Sequence, residues 1–278
     1  MTQIEWCDAT WNPIIGCSRI SEECRICYAA TAAASPRLQQ FPQYKGVENW
    51  DGTINFAESQ LRKPLSWRNP KRIFVCSMSD LFHENIPDEW RDRIFAVMEL
   101  TPHHTYQVLT KRTARMVEYF SNNPESRILR HAIAIANQDR LQNLKLYKQV
   151  TRSLPFSNVW LGTTAGCQSS VNERLPLIDK LTRQGWTTFV SAEPLLEPIT
   201  LGLKFPGFKI SQVITGAESG SGARPMEEDW VRDLRDQCVE NDVAFFYKQN
   251  FKNGRKISLP ELDGKQWMEF PVPVVSQK

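Results

Sequence analysis

The sequence lacks any apolar run long enough to cross a bilayer, and its N-terminus, MTQIEWCDATWNPIIGC, lacks the basic region and apolar stretch of a secretion signal. The sequence also lacks a large excess of either charge: it has 34 Lys and Arg and 31 Asp and Glu, which gives a net charge of +3. This balance neither requires nor excludes a nucleic-acid partner. Low-complexity segments and fixed-length repeats are absent as well. We therefore expect a cytoplasmic protein with no membrane anchor.

The sequence contains one cluster of cysteines and lacks a second. Four of the seven cysteines fall within the first 27 residues, and the other three are scattered. In a chain without a secretion signal, such a cluster indicates metal binding or catalysis rather than a disulfide framework. The lack of a second cluster argues against an auxiliary iron–sulfur centre.

The length of 278 residues suits one β/α barrel, which usually takes about 250 residues. Short apolar runs rich in β-branched and aromatic residues predict strands buried on both faces. These runs are residues 72–76, 106–109, 159–162, 187–190, 212–215 and 243–247, preceded by a first strand at 11–16. Segments with helical spacing separate them, with apolar faces at residues 90–98, 175–181 and 231–238.

This β-then-α order predicts an α/β protein with parallel strands and right-handed crossovers. We expect one domain over residues 1–278, a TIM-like β/α barrel that is either complete or partial. A doubly wound open sheet is the alternative. Two insertions are predicted, a long ordered loop at about 35–70 and a helical insertion at about 125–150, which could cover the barrel mouth.

Polar residues follow the predicted strands. In a parallel barrel all these carboxyl ends meet at the mouth, where barrel enzymes place their active sites. For any single position, a solvated strand end explains the polar residue equally well. As a set, two glutamates, two lysines and an arginine on one rim require mutual pairing or a ligand. The groups concerned are Ser77, Ser79, Asp80, Lys111, Arg112, Thr163, Thr164, Glu193, Gly216, Glu218 and Lys248.

Cys17, Cys24 and Cys27 have the spacing C-x6-C-x2-C and directly follow the first predicted strand. Three thiolates on one loop can hold three corners of a cubane iron–sulfur cluster and leave the fourth iron open. An open coordination position is typical of a catalytic metal site. A structural zinc site is the alternative, although zinc usually takes four ligands, often from a second close pair that this chain lacks.

These residues resemble two known groups of proteins. Three cysteines after a first barrel strand resemble the radical S-adenosylmethionine superfamily, although its commonest first gap is three residues and Ile26 stands where it has an aromatic residue. A phage and bacterial family known for its three-cysteine motif is more similar and spans nearly the whole chain. The matching stretches are 5–6, 8–13, 16–17, 24, 27–29, 77–83, 109–112, 190–195, 216–220 and 245–249.

The resemblance implies a radical-type barrel that binds a 4Fe-4S cluster and S-adenosylmethionine, with a flavodoxin- or ferredoxin-like electron donor. Cys17, Cys24 and Cys27 would then be the cluster ligands. The cofactor-binding residues would be Ser77, Ser79, Asp80, Thr163, Thr164 and Gly216. The catalytic and substrate-facing residues would be Lys111, Glu193, Glu218 and Lys248. His83 is a candidate titrating group near the mouth.

The substrate stays open at this point. Basic residues at Lys71, Lys111, Arg112 and Arg115 suit a nucleic-acid base or nucleotide, and equally a small anionic metabolite. Two further hypotheses remain. One is a non-catalytic nucleic-acid-binding protein with a structural zinc or iron–sulfur site, and the other is a metal-independent hydrolase that uses Glu193 and Glu218 as an acid/base pair. The oligomeric state is not predicted.

Overall fold

A computed structural model describes residues 4–138, 153–204 and 206–271. The fold is mixed α/β, built on an eight-stranded, mostly parallel sheet that curls into a half-barrel and is flanked by helices. The strands are β1 (Ala9–Trp11), β2 (Ile14–Ile15), β3 (Asn55–Phe56), β4 (Arg72–Val75), β5 (Thr105–Thr110), β6 (Val159–Thr164), β7 (Thr187–Ala192), β8 (Gln212–Gly216), β9 (Ala244–Lys252), β10 (Arg255–Ser258), β11 (Glu261–Leu262) and β12 (Lys265–Gln266).

As the sequence predicts, helices follow β4, β5, β6 and β8, although the described residues between β7 and β8 contain none. The helices are α1 (Tyr28–Ala33), α2 (Glu58–Leu61), α3 (Asp88–Leu100), α4 (Thr113–Ser121), α5 (Glu125–Gln138), α6 (Gln168–Arg183) and α7 (Glu228–Val239), with short 3-10 helices at Glu22–Cys24, Pro42–Tyr44 and Lys63–Ser66. Among the described residues, none of the helices combines the length and apolar character of a membrane span.

The main sheet has the spatial order β1-β4-β5-β6-β7-β8-β9-β10, and all its neighbours pair in parallel except β9 and β10. The order follows the chain without a reversal. Helices α3 to α7 contribute to one core cluster with the residues on a single face of the sheet. A doubly wound sheet carries helices on both faces, so that alternative is wrong.

Side-chain alternation along each strand separates two layers of packing. One set, which includes Val75, Val108 and Leu161, packs under the helices. The other set fills the hollow of the half-barrel with aromatic and aliphatic side chains. This inner layer consists of Trp6, Phe74, Trp160, Phe189, Ile214 and Phe246, with the Trp6 and Phe74 rings 4.6 Å apart.

The open side of the half-barrel, between β1 and β10, is bridged by the segment that precedes β1. Glu5 pairs with Lys256 at 2.7 Å and accepts a hydrogen bond from Ser258 at 2.6 Å, so a carboxylate before β1 contacts two side chains of β10. Burial opposes ionisation of Glu5, but the hydrogen bonds from Lys256 and Ser258 outweigh it, and its pKa is lowered. Side chains therefore join the two sheet edges where backbone pairing is missing.

Three local predictions differ from the structure. The first strand is predicted at 11–16 but covers Ala9–Trp11, because Pro13 interrupts the apolar run. Ile14–Ile15 pairs instead with β3 inside the predicted loop at 35–70, which also holds α2 and two 3-10 helices. The described half of the predicted helical insertion is α5, which packs under α3 in the outer core and does not cover the mouth. Residues 139–150 of that insertion lie outside the described residues.

Candidate active site

A cavity of about 410 Å³ opens at the carboxyl ends of the parallel strands, a size that suits one cofactor-sized ligand. Polar side chains that follow β4, β5, β7 and β8 line it, together with Thr164 at the end of β6 and Lys248 within β9. Its lower wall is apolar and includes Ile4, Trp6, Phe74 and Leu109. The cavity is therefore a polar rim above an apolar floor.

Cys17, Cys24 and Cys27 all line this cavity. They lie on the loop that runs from Gly16, which bridges Ser79 in parallel, to the start of α1, where Cys27 is the N-cap residue. We call residues 17–27 the cysteine loop. All three thiols are free, and within the described parts of the chain no three Cys, His, Asp or Glu side chains gather around one point as ligands of a single ion would.

Two of the thiols have opposite electrostatic environments. Burial, and then the Asp80 carboxylate, raise the pKa of the Cys17 thiol to about 12, although Arg112 opposes the rise. Burial would also raise the pKa of Cys24, but the Lys111 ammonium and hydrogen bonds from the loop backbone and Ser21 bring it below its usual value. A positive charge lies beside each thiol, but only at Cys24 does it outweigh burial and favour the thiolate.

Three sets of contacts hold the cysteine loop in place. The first is made by Arg112, whose Nη1 lies 3.6 Å from Cys17 Sγ and whose Nη2 donates to Ser18 Oγ at 2.9 Å. Nη1 also pairs with Asp80 at 3.3 Å, and Nε pairs with Glu84. The Arg112 side chain is 5% exposed, so its pair with the buried Asp80 lies in the protein interior.

The second set is a buried ion pair between Glu23 of the loop and Arg174 of α6, with Arg174 Nη1 3.4 Å from Glu23 Oε1. The Gly166 amide also donates to this carboxylate, at 3.3 Å. The third set belongs to Arg224, whose Nη2 donates to the Glu22 carbonyl at 2.9 Å while the guanidinium pairs with Glu218. The loop is therefore anchored to the turn between β5 and α4, to α6 and to the segment after β8.

The four predicted catalytic side chains all reach the cavity, in different electrostatic states. Glu193 and Lys248 form an ion pair across it, and both side chains are largely buried. Both carboxylate oxygens of Glu218 are occupied by Arg224, which lowers the Glu218 pKa against the effect of burial. Lys111 lines the cavity and, within the described residues, forms no ion pair with a carboxylate.

Four of the six predicted cofactor-binding residues line the cavity, namely Ser77, Ser79, Asp80 and Thr164. Ser79 Oγ donates to the Gly16 carbonyl at 2.6 Å, next to Cys17. Asp80 accepts from the Thr110 hydroxyl at 2.6 Å and from Arg112. These groups connect the segment after β4 with the cysteine loop and with β5.

The other two predicted cofactor-binding residues do not line the cavity. Thr163 points to the helix side, where its hydroxyl hydrogen-bonds Thr113 at 2.6 Å, because neighbouring residues of a strand face opposite ways. Gly216 packs against Gln249, and an added Cβ would lie 3.0 Å from Gln249 Cγ. Its role is close packing of β8 against β9.

His83 is 1% exposed and supports the cysteine loop from below the rim. Its Nε2 lies 2.9 Å from Ser18 Oγ, and its Nδ1 accepts from the Asn85 amide. Burial, followed by the nearby Arg112 charge, lowers the His83 pKa, so the ring is neutral at pH 7. It is thus a buried positioning group rather than the titrating rim residue that the sequence suggests.

Several cavity groups were not identified from the sequence. Trp6 and Phe74 form the floor, and the alternation of Phe74 with Ile73 and Val75 is a signal that would have placed it inward. Tyr28, whose hydroxyl donates to the Ser77 carbonyl at 2.8 Å, lies beside Cys27 at the mouth. No local signal links Glu23 with Arg174, because 151 residues separate them.

The fold and site together define an α/β half-barrel protein with three free thiols at the cavity on its carboxyl edge. The chain belongs to the family described as a protein of unknown function, DUF5131, whose model matches residues 1–271. No curated protein and no solved structure matches the chain.

Proposed function

We propose that the protein is an iron–sulfur enzyme of the radical S-adenosylmethionine type. The observation that carries the proposal is that Cys17, Cys24 and Cys27, all on one loop, open onto a single cavity at the carboxyl edge of a parallel half-barrel. Three thiolates leave one iron of a cubane cluster available to a ligand. The strand ends that would hold this ligand line the same cavity.

The chemistry of the three donors supports this proposal, although the three thiols do not converge on one point in the structure. The three thiols are in no disulfide, Arg112 donates to one of them, and the Lys111 charge acts on another. Thiolate ligands and hydrogen bonds to their sulfurs are what such a cluster uses. When bound, an open-iron cluster supplies the electron that cleaves S-adenosylmethionine to a carbon radical.

The residues of the chain divide into three roles in this proposal. Cys17, Cys24 and Cys27 hold the cluster. The hydroxyls of Ser77, Ser79 and Thr164 would accept from the amino group of the methionine part. Asp80, which accepts from Thr110 and Arg112, would hold these strand ends in position beside it. The rim groups that remain to contact the substrate are Lys111, Glu193 and Lys248.

The apolar floor contributes by excluding water. Trp6, Phe74 and Leu109 close the cavity from below, and the inner aromatic layer fills the barrel beneath them. A dry, low-dielectric site strengthens the electrostatic contacts made inside it and limits side reactions of a reactive intermediate. The Glu193–Lys248 pair lies in this space and can orient an ionic group or transfer a proton to it.

The test is anaerobic purification and reconstitution with iron and sulfide. We expect the broad visible absorption of a cubane cluster, lost in Cys17→Ala, Cys24→Ala and Cys27→Ala. Cys167→Ala is the matched control, because Cys167 is a partly exposed free cysteine that does not line the cavity. Reduced protein should then convert S-adenosylmethionine to 5′-deoxyadenosine.

Other results would support the competing hypotheses. Stoichiometric zinc without iron would favour a structural metal site, and intact S-adenosylmethionine after full reconstitution would leave only a binding role. Equal activity without any metal would favour a hydrolase, although the engagement of Glu218 with Arg224 removes half of the predicted acid/base pair.

For the substrate we propose a molecule that carries an anionic group, because Lys111 brings a positive charge to the cavity with no carboxylate partner in the described residues. A nucleic acid is one such substrate. Binding of a labelled single-stranded oligonucleotide should then weaken steeply with added salt. No binding at low salt would favour a small anionic metabolite.

A further inference from the structure

Arg112 contacts more components of the site than its place in the sequence suggests. Its guanidinium reaches a cysteine of the loop, the hydroxyl of the next residue and two carboxylates. The side chain is almost fully buried, and the Nη1–Sγ separation of 3.6 Å lies within hydrogen-bonding distance for sulfur. A buried cation therefore donates directly to Cys17.

We propose that Arg112 raises the reduction potential of a cluster held by Cys17, through its N–H···S hydrogen bond and its buried positive charge. This inference rests on the proposed function. Reduction adds one electron to the cluster and neither forms nor breaks a bond. The reduced form carries one more negative charge, so a cation hydrogen-bonded to a ligand sulfur stabilises it more than the oxidised form.

The charges around Arg112 decide whether it raises or lowers the reduction potential of the cluster. Asp80 is buried beside Nη1, whereas Glu84 is half exposed and its charge is screened by solvent. His83 contributes no charge at neutral pH, and Lys111 acts mainly on Cys24. Among these groups, only Arg112 places a positive charge within hydrogen-bonding distance of Cys17, and the acidic partners reduce its effect.

Two variants should therefore shift the potential in opposite directions. Arg112→Met removes the charge and the hydrogen bond, so reduction becomes harder. Glu84→Gln removes a negative charge that offsets Arg112, so reduction becomes easier, by a smaller amount because Glu84 is exposed. A residue with a purely structural role would not give shifts of opposite sign.

The experiment is a potentiometric titration of the reconstituted protein without S-adenosylmethionine, followed by electron paramagnetic resonance. In Arg112→Met we expect the ratio of reduced to oxidised cluster at a fixed potential to fall at least tenfold, which corresponds to about 59 mV for one electron. Arg112→Lys keeps the charge but not the planar fork, and its ratio should fall less. Arg115→Met is the matched control, since Arg115 is an exposed arginine on α4 near His83, and its ratio should stay unchanged.

The inference would be overturned if Arg112→Met keeps an intact cluster whose ratio of reduced to oxidised form, at the same potential, stays within twofold of wild type. Shifts of the same sign in Arg112→Met and Glu84→Gln would also overturn it. If Arg112→Met does not fold, Glu84→Gln and Arg112→Lys decide the matter, because neither removes the buried charge. A wild-type protein that takes up no iron would end the proposed function itself, which is a different result from a cluster whose potential ignores Arg112.

Discussion

Glu23 and Arg174 form an ion pair with both side chains buried, and it joins the middle of the cysteine loop to α6 across 151 residues of sequence. Burial opposes the ionisation of Glu23, and hydrogen bonds together with Arg174 outweigh it. The Gly166 amide and the hydroxyls of Ser170 and Ser21 also support the carboxylate. The loop is therefore positioned by contacts of the protein itself.

Glu23→Gln tests this pair through the pH dependence of stability. Burial would raise the Glu23 pKa, but the hydrogen bonds and Arg174 lower it to about 2. A carboxylate with a lowered folded pKa contributes stability above its unfolded pKa, and the contribution disappears as the pH falls through the folded value. We expect the variant to lose roughly 3 kcal/mol at pH 7, with a difference from wild type that shrinks between about pH 4.5 and pH 2.

Urea unfolding at several pH values measures this difference. Glu22→Gln is the control, because the Glu22 side chain is 74% exposed in its pair with Arg224 and its loss should cost less than 1 kcal/mol. A constant gap between wild type and Glu23→Gln from pH 7 to pH 2 would contradict the assigned role of the charge.

Gly162 lies on β6 directly opposite the Phe189 ring, and an added Cβ would lie 2.2 Å from Phe189 Cζ. Gly162→Ala should therefore destabilise the protein by about 1–3 kcal/mol through overpacking of the inner layer. The double variant Gly162→Ala/Phe189→Leu should lose less stability than the sum of its two single changes. Urea unfolding of the four proteins gives the coupling energy.

Phe246→Leu supplies the comparison for this cycle. Phe246 belongs to the same inner cluster, but it is not among the atoms nearest the added Cβ. Equal relief of Gly162→Ala by Phe246→Leu would argue against a specific contact with Phe189.

The Glu193–Lys248 pair should contribute a measurable interaction energy, because its side chains are only 16% and 12% exposed. A double-mutant cycle with Glu193→Gln and Lys248→Met should give a coupling of about 1–3 kcal/mol in urea unfolding. The surface pair Lys204–Glu240, with side chains 82% and 56% exposed, should give less than about 0.5 kcal/mol. Similar coupling energies for the two pairs would show that burial in the cavity adds nothing.

The bridge across the open side of the half-barrel can be tested by amide exchange. Glu5→Ala removes one partner of Lys256 and of Ser258, so β10 should exchange faster while β8, in the interior of the sheet, stays protected. Unchanged exchange in β10 would mean that its pairing with β9 suffices to hold it.

Much of the architecture could be predicted from the sequence because it depends on local patterns. Buried parallel strands give continuous apolar runs, as at 72–76 and 212–215, and helices give a 3.6-residue period, as in α3 and α7. The first strand is misplaced by the apolar run at 11–16, because Pro13 lies inside that run and the strand covers Ala9–Trp11. The cavity-lining positions after the strands followed from parallel topology alone.

The choice between neighbouring residues required the geometry. Thr163 and Thr164 are alike in the sequence, yet only Thr164 faces the cavity, because side chains alternate along β6. The sequence likewise predicts the same catalytic role for Glu193 and Glu218. Arg224 pairs with Glu218 because the turn after β8 brings the two side chains together, whereas Glu193 pairs with Lys248 at the cavity.

The sequence by itself determined the order of strands and helices, the cysteine spacing and the polar strand ends, since each of these is written in residues close along the chain. Only the tertiary structure decided that Arg112 reaches Cys17, that Arg174 holds Glu23 and that Trp6 closes the floor beside Phe74. The two residues are 68 positions apart for Trp6 and Phe74, 95 for Arg112 and Cys17, and 151 for Glu23 and Arg174. No local pattern encodes such pairs, because they form only when the sheet curls and brings distant loops to one edge.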